Sequence, residues 1–357
     1  MKAFTAARDM AARLKRDAAP FSASDLVTRT LARHGLASGL AGKTTAPGVL
    51  QEMMARLRPA SQSGQSADLA TPDGALFLED QFSCSAGTRR YLTYVPARAQ
   101  SGATGLIVML HGCTQTPEDF ALGTGMNALA ETHGFIVVYP HQSRGENAQS
   151  CWNWFRRGDQ RRELGEPAIL AGLAQKAAAE HGVPRDRTFV AGLSAGAAMA
   201  VILGEAYPDV FFGVGAHSGL PAGSAKDVPS AFAAMAGSGP VSVPVSGAAP
   251  VRTIIFHGSA DTTVHPSNSD QIAQRVIDLG PGQTIQTEDR GLEGGRAYGR
   301  KVTFQDDGPA LVEQWAIEGL GHAWSGGSAK GSYTDAKGPD ASRIMVSFFF
   351  GDAGPQP

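Results

Sequence analysis

The sequence predicts an α/β fold: a mostly parallel sheet with helices on both faces, preceded by a helical extension. Three observations predict it. Residues 105–110 and 135–139 are short apolar runs with no alternation, as expected of strands buried on both faces. Such runs alternate with helix-prone stretches at 117–133, 166–181 and 268–279, the pattern of repeated β-α units. Several strands empty into turns rich in Gly and polar residues, where open α/β sheets carry their functional groups.

Composition narrows the class. The chain has 357 residues, enough for one large α/β domain with additions or for two domains, and at 42% hydrophobic and 18% charged its composition is that of an ordinary globular protein. A net charge of -2 speaks against a dedicated nucleic-acid binder. The charge is uneven, since residues 1–60 hold ten Lys/Arg against four Asp/Glu. No apolar run reaches the length of a membrane span. The N-terminus lacks the apolar stretch of a secretory signal, which makes the cytoplasm the default expectation. Three cysteines, Cys84, Cys113 and Cys151, are too few and too scattered for a disulfide scaffold or a zinc site.

Taken in order, residues 1–58 form a basic extension with helical stretches at 1–16, 23–34 and 48–57, the first placing Phe4, Ala7, Met10, Ala11 and Leu14 on one face. It reads as an extension packed on the main domain, or alternatively as an amphipathic arm for an anionic or apolar surface. Residues 59–73 are rich in Ser, Gln, Ala, Gly and Pro and read as a linker. The main domain, 74–352, opens with a hairpin at 75–82 and 89–95. Strands follow at 105–110, 135–139, 188–191, 211–216, 251–257, 302–304 and 311–317, and a final helix spans 339–349. A small-residue insertion covers 221–250. The glycine-rich region 280–300 fits a surface hairpin or a cover over the site.

The chemistry starts at Gly192-Leu193-Ser194-Ala195-Gly196, between a strand and an alanine-rich helix. G-x-S-x-G has a steric cause: a nucleophile on a strained turn needs small residues two before and two after it, so that strand and helix can pass closely. The Ser194 hydroxyl is pushed above the sheet edge, and the Ala195 amide points into the same space from a helix N-terminus. A serine nucleophile needs a base and an orienting acid. In an α/β-hydrolase they follow in the order nucleophile, acid, histidine. Asp261 lies just past the 251–257 strand. Of nine histidines only His265 and His322 come after it. His265 shares the acid's own loop, whereas His322 sits in the Gly-rich loop after 311–317, suited to laying its ring over the serine. The oxyanion needs a second amide from an earlier strand end, and Cys113 in His111-Gly112-Cys113-Thr114-Gln115 supplies the candidate beside Ala195.

With these residues placed, the chain resembles the polyhydroxybutyrate-depolymerase family of esterases, within the α/β-hydrolases and close to feruloyl and acetylxylan esterases. The matching segments are 111–115, Cys151-Trp152-Asn153-Trp154-Phe155, 192–196, 257–261 with Thr263, Val264 and Pro266, and Gly321-His322-Ala323-Trp324. The resemblance implies attack of Ser194 on an ester of a short-chain poly(3-hydroxyalkanoate) or its oligomers, with no metal or organic cofactor. It also implies a Cys113–Cys151 disulfide with Cys84 free. Such a bond points to an extracellular or periplasmic setting, against the cytoplasmic default. The chain ends at Pro357 without the separate polymer-binding domain of depolymerases that attack crystalline polymer. Amorphous granules, soluble oligomers or another ester are then expected, with residues 1–60 as a candidate granule contact.

Trp324 is expected to line the substrate, and His217, Ser218 and Trp152 are further candidates for contact. Two alternatives stay open: a feruloyl, acetylxylan or general short-chain carboxylesterase, and, more remotely, a non-catalytic granule-binding protein on a hydrolase scaffold.

Overall fold

The computed structural model describes residues 71–239, 249–280, 282–305 and 308–351. The helical extension expected at 1–58 and most of the linker lie outside the described residues.

The chain enters through an antiparallel hairpin, β1 (Leu76–Cys84) and β2 (Gly87–Val95). It continues into β3 (Leu106–Leu110), α1 (Pro117–Thr124), α2 (Met126–His133), β4 (Ile136–Pro140) and α3 (Gly165–Glu180). Next come β5 (Thr188–Leu193), α4 (Ala195–Ala206), β6 (Gly213–His217), α5 (Val228–Met235), β7 (Arg252–Gly258) and α6 (Ser267–Leu279). A second hairpin, β8 (Thr284–Glu293) and β9 (Arg296–Gln305), leads to β10 (Ala310–Ile317). The short β11 (Trp324–Ser325) and β12 (Thr334–Asp335) pair with each other, and α7 (Ala341–Phe350) closes the described chain.

The main sheet runs β1-β2-β4-β3-β5-β6-β7-β10-β9-β8. Its six central strands, β4 to β10, are parallel, and an antiparallel hairpin edges each side. β3 and β4 occupy one half, and the chain then returns past β3 to lay down β5, β6, β7 and β10. The order therefore reverses between β3 and β5, and their carboxyl ends frame the crevice where such sheets bind ligands.

Successive strand residues feed opposite faces. Val108, Leu110, Val138, Val190 and Ile255 pack against α3, α4 and α6, while Ile107, Met109, Val137, Phe189 and Phe256 pack against α1, α2 and α7. These strands have no wet face. That is why they read as unbroken apolar runs.

Three expectations need correction. The helix expected over 117–133 is two, because Gly125 takes a left-handed φ of 65° and caps α1. The 221–250 insertion contains α5, started by a reciprocal cap between Asp227 and Ser230 that its small-residue composition concealed. The strand expected at 302–304 belongs to β9, ten residues long; of the two readings of 280–300 the surface hairpin is the one that forms, as β8 with β9 at the sheet edge. β8 has almost no buried residues, so no apolar alternation announced it. Among the described residues no helix is long and apolar enough to cross a membrane.

Candidate active site

Ser194 stands between β5 and α4 with φ 58° and ψ −118°, a conformation that costs free energy for any residue with a Cβ. Two glycines make the turn possible. A Cβ on Gly192 would lie 2.5 Å from the Gly196 carbonyl carbon, and one on Gly196 would meet the Leu110 carbonyl oxygen. The turn is held by the Ser194 amide donating to His217 O at 2.9 Å and the Ala198 amide donating to Ser194 O at 2.9 Å. The Ser194 hydroxyl has no hydrogen-bond partner among the described residues.

Asp261 follows β7 and is buried. Its Oδ1 accepts from the amides of Thr263 and Val264, each at 2.9 Å. Its Oδ2 lies 2.7 Å from His322 Nδ1 and 3.5 Å from His257 Nε2. Burial pushes the Asp261 pKa up, but hydrogen bonds from His257 and His322 outweigh it and hold the carboxyl well below the usual carboxylate range. The loops bearing acid and base are zipped together. Ser259 and Ala260 donate to Ile317 O and Leu320 O, and the Gly319 amide donates to Ser259 Oγ at 2.9 Å. Only glycine fits at 258, where a Cβ would collide with the Leu320 carbonyl.

The Asp261 contact fixes the His322 tautomer: Nδ1 carries the proton and Nε2 is left as a base. Nε2 has no partner among the described residues. Hydrogen bonds between such a base and its serine commonly tighten only once substrate binds. The His217 carbonyl accepts from the Ser194 amide, and His322 is among the groups that lower the pKa of the His217 ring. His265, the other histidine after Asp261, turns to Ser267 Oγ at 2.8 Å.

The loop expected to supply the oxyanion amide follows β3, next to β5. Among its amides, Gly112 donates to Gln115 Oε1 (2.9 Å), Thr114 to Gln149 O (2.7 Å) and Gln115 to Gly112 O (3.3 Å). The amides of Cys113 and Ala195 have no acceptor among the described residues. Cys113 is joined to Cys151 by a disulfide, and Cys84 is free and exposed.

The four residues expected to touch substrate are buried instead. Trp324 is 1% exposed, stacked on His217 with ring centroids 5.2 Å apart and donating through Nε1 to Ser342 Oγ. Trp152 is wholly enclosed and donates to His111 O at 3.0 Å. His217 Nε2 accepts from the Ser325 amide at 3.0 Å, so Nδ1 carries the proton and faces Ser218 Oγ at 3.3 Å. Burial and the neighbouring His257 and His322 lower the His217 pKa to about 3, leaving it neutral. With their polar atoms spent internally, Trp152 and Trp324 pack into the two cores on opposite faces of the sheet.

Sequence reasoning gave no role to the cluster that supports the oxyanion loop. Glu166, buried at the start of α3, accepts from Arg89 Nη2 (3.1 Å), Gln142 Nε2 (2.6 Å), the Asn153 amide (2.7 Å) and Asn153 Nδ2 (2.7 Å). Gln142 also donates to Cys151 O at 3.0 Å. His111 and Asn153 stand inside matched segments, the one signal that could have drawn attention to them. Tyr333, exposed and with φ 51°, places its hydroxyl 3.2 Å from Thr114 Oγ1 and was likewise missed.

The parallel sheet with a strained Ser194 turn, an Asp–His pair and two unspent amides at its reversal point defines an α/β-hydrolase. An acetyl xylan esterase from Aspergillus awamori shares the fold, with TM-score 0.58 and 21% identity, covering 77% of this chain and 99% of that one. A family model described as esterase PHB depolymerase matches residues 89–290, and the chain belongs to that family. Poly(3-hydroxyalkanoate) depolymerase C of Paucimonas lemoignei is 35% identical over 262 residues, 70% of this chain and 61% of that protein's length. The probable acetylxylan esterase A of Aspergillus flavus is 30% identical over 220 residues, 57% of this chain and 70% of its own. The chain thus spans about three fifths of the Paucimonas protein it matches.

Proposed function

We propose that this protein is a serine carboxylic-ester hydrolase acting on short-chain poly(3-hydroxyalkanoate), such as poly(3-hydroxybutyrate), or on its oligomers. The observation that carries the reading is the 2.7 Å pair of His322 and Asp261 at the sheet edge that also presents the strained Ser194. In the reaction Ser194 Oγ attacks the ester carbonyl carbon as His322 Nε2 takes its proton. The tetrahedral oxyanion accepts from the Cys113 and Ala195 amides, and Asp261 holds the imidazolium. Collapse breaks the C–O bond, and the leaving alcohol takes the proton from His322. Water, deprotonated by His322, then hydrolyses the acyl-enzyme, releasing the acid and restoring Ser194. The polyester substrate draws support from the Paucimonas relative.

A second reading, an acetyl- or feruloyl-ester hydrolase, draws support from the Aspergillus relative. Product analysis on amorphous poly(3-hydroxybutyrate), comparing the protein with Ser194→Ala, separates the two. Monomers and oligomers released by the unmutated protein alone support the polyester. Cleavage of p-nitrophenyl butyrate without polymer products leaves the small-ester reading. Two further expectations belong to this proposal. The disulfide suits an oxidising compartment, and the basic residues 1–60 serve as a granule contact, so deleting them should weaken adsorption to amorphous polymer.

A further inference from the structure

His111 is completely buried, and both of its ring nitrogens are committed. The Gln142 backbone amide donates to Nε2 at 3.1 Å. A nitrogen that accepts from an amide carries no proton, so in the neutral ring the proton is on Nδ1. Nδ1 lies 2.8 Å from the carbonyl oxygen of Gly112, which can only accept. Burial lowers the His111 pKa to about 4 and keeps the ring in that single-proton form.

The consequence lies in the next peptide unit. Gly112 C=O and Cys113 N–H belong to one trans plane, with oxygen and hydrogen on opposite sides. A ring that pins the oxygen on the buried side turns the hydrogen the other way. The Gly112 amide is spent on Gln115 Oε1, that of Gln115 on the same Gly112 carbonyl at a longer 3.3 Å, and that of Thr114 on Gln149 O, which leaves that of Cys113 unspent. We propose that His111, as the Nδ1–H tautomer, is the positioning residue that aims the Cys113 amide by holding the carbonyl of the same peptide unit.

The ring is braced for this task. Its own carbonyl accepts from Trp152 Nε1, and Gln142 immediately follows His141, whose amide donates to Arg90 O on β2. The Gln142 side chain is tied to Glu166 and to Cys151 O, beside the disulfide. The Gln142 amide, outside the loop being positioned, thus enforces the same tautomer that the Gly112 carbonyl requires. The inference rests on reading Cys113 as an oxyanion donor.

Two measurements test it. Nitrogen NMR of the unmutated protein reads the tautomer directly: a protonated Nδ1 is expected, and a protonated Nε2 would overturn the proposal. Hydrolysis of p-nitrophenyl butyrate is then compared for His111→Leu and His111→Asn, the latter returning an N–H near the Nδ1 position. Leu should lower kcat about 100-fold, as small misplacements of catalytic groups do. KM should stay within about twofold, because the lost interaction serves the transition state. Asn should recover most of the loss. Equal losses in both variants, or a loss confined to KM, would sink the positioning role. Failure of the ester-hydrolase reading shows separately, as no hydrolysis by the unmutated protein, and takes this role with it.

Discussion

His322 Nδ1 lies 2.7 Å from Asp261 Oδ2, and the carboxylate's other oxygen is taken by the amides of Thr263 and Val264. The acid is thus immobilised by its own loop before it meets the base. It can dictate where the His322 proton sits.

Asp261→Asn tests that relationship. An Asn amide turned to Nδ1 as a donor would force the proton onto Nε2, the nitrogen proposed to act as base. By analogy with the serine-protease triad, kcat should fall about 10⁴-fold with the fold intact. Steady-state kinetics on a soluble ester, with circular dichroism as the control, checks it; a loss below tenfold would contradict the assignment.

Stability should fall on mild acidification. Burial lowers the folded pKa values of His111 and His217 to about 4 and about 3, against an ordinary 6.5. Below about pH 6.5 the unfolded chain binds protons that the folded chain refuses, so stability is lost as pH falls toward those folded values. Between pH 7 and pH 5 the loss is about 2 kcal/mol per ring. Burial lowers the pKa of His141 and His181 as well, adding in the same direction. Urea unfolding midpoints at the two pH values measure this, and an unchanged midpoint would contradict two neutral buried imidazoles.

The Cys113–Cys151 bond closes a loop across 38 positions and anchors the residue whose amide is the proposed oxyanion donor. Replacing both cysteines by serine should cost about 2–4 kcal/mol of stability. It should also lower kcat by loosening that amide. Thiol titration of the unreduced, unfolded protein should find one reactive group, Cys84; three would refute the bond.

Glu166 gathers four donors, and burial pushes its pKa up against the Asn153 amide and the Arg89 charge, which lower it. Glu166→Gln removes the charge facing Arg89 and turns an N–H₂ toward groups that are themselves donors. A loss of about 3–5 kcal/mol is expected, since buried Arg89 is left with only the exposed Glu146 carboxylate, 3.5 Å away. A thermal or urea melt of the variant decides it.

Much of this was legible in the sequence. The strands around the site could be read because each is buried on both faces, so apolar runs such as 106–110 stand out. The Ser194 turn announced itself through glycines whose absent Cβ atoms the close approach of Leu110 and α4 requires. What escaped notice depends on non-local packing. β8 lies exposed at the sheet edge and carries no apolar signature. Trp324 sits two residues from His322 and suggested a substrate wall. The Ser342 hydroxyl and the His217 ring draw it into the core instead, and neither partner is near it in sequence. The hydrogen bonds of the Glu166 cluster join residues 13, 24 and 77 positions apart, distances over which spacing carries no information.

The most direct test of the central claim is the mass of the intact protein after exposure to a fluorophosphonate ester, followed by peptide mapping. The account predicts a single covalent phosphonyl adduct on Ser194, absent from Ser194→Ala and slowed in Asp261→Asn. No adduct, or one on another residue that persists in Ser194→Ala, would contradict it.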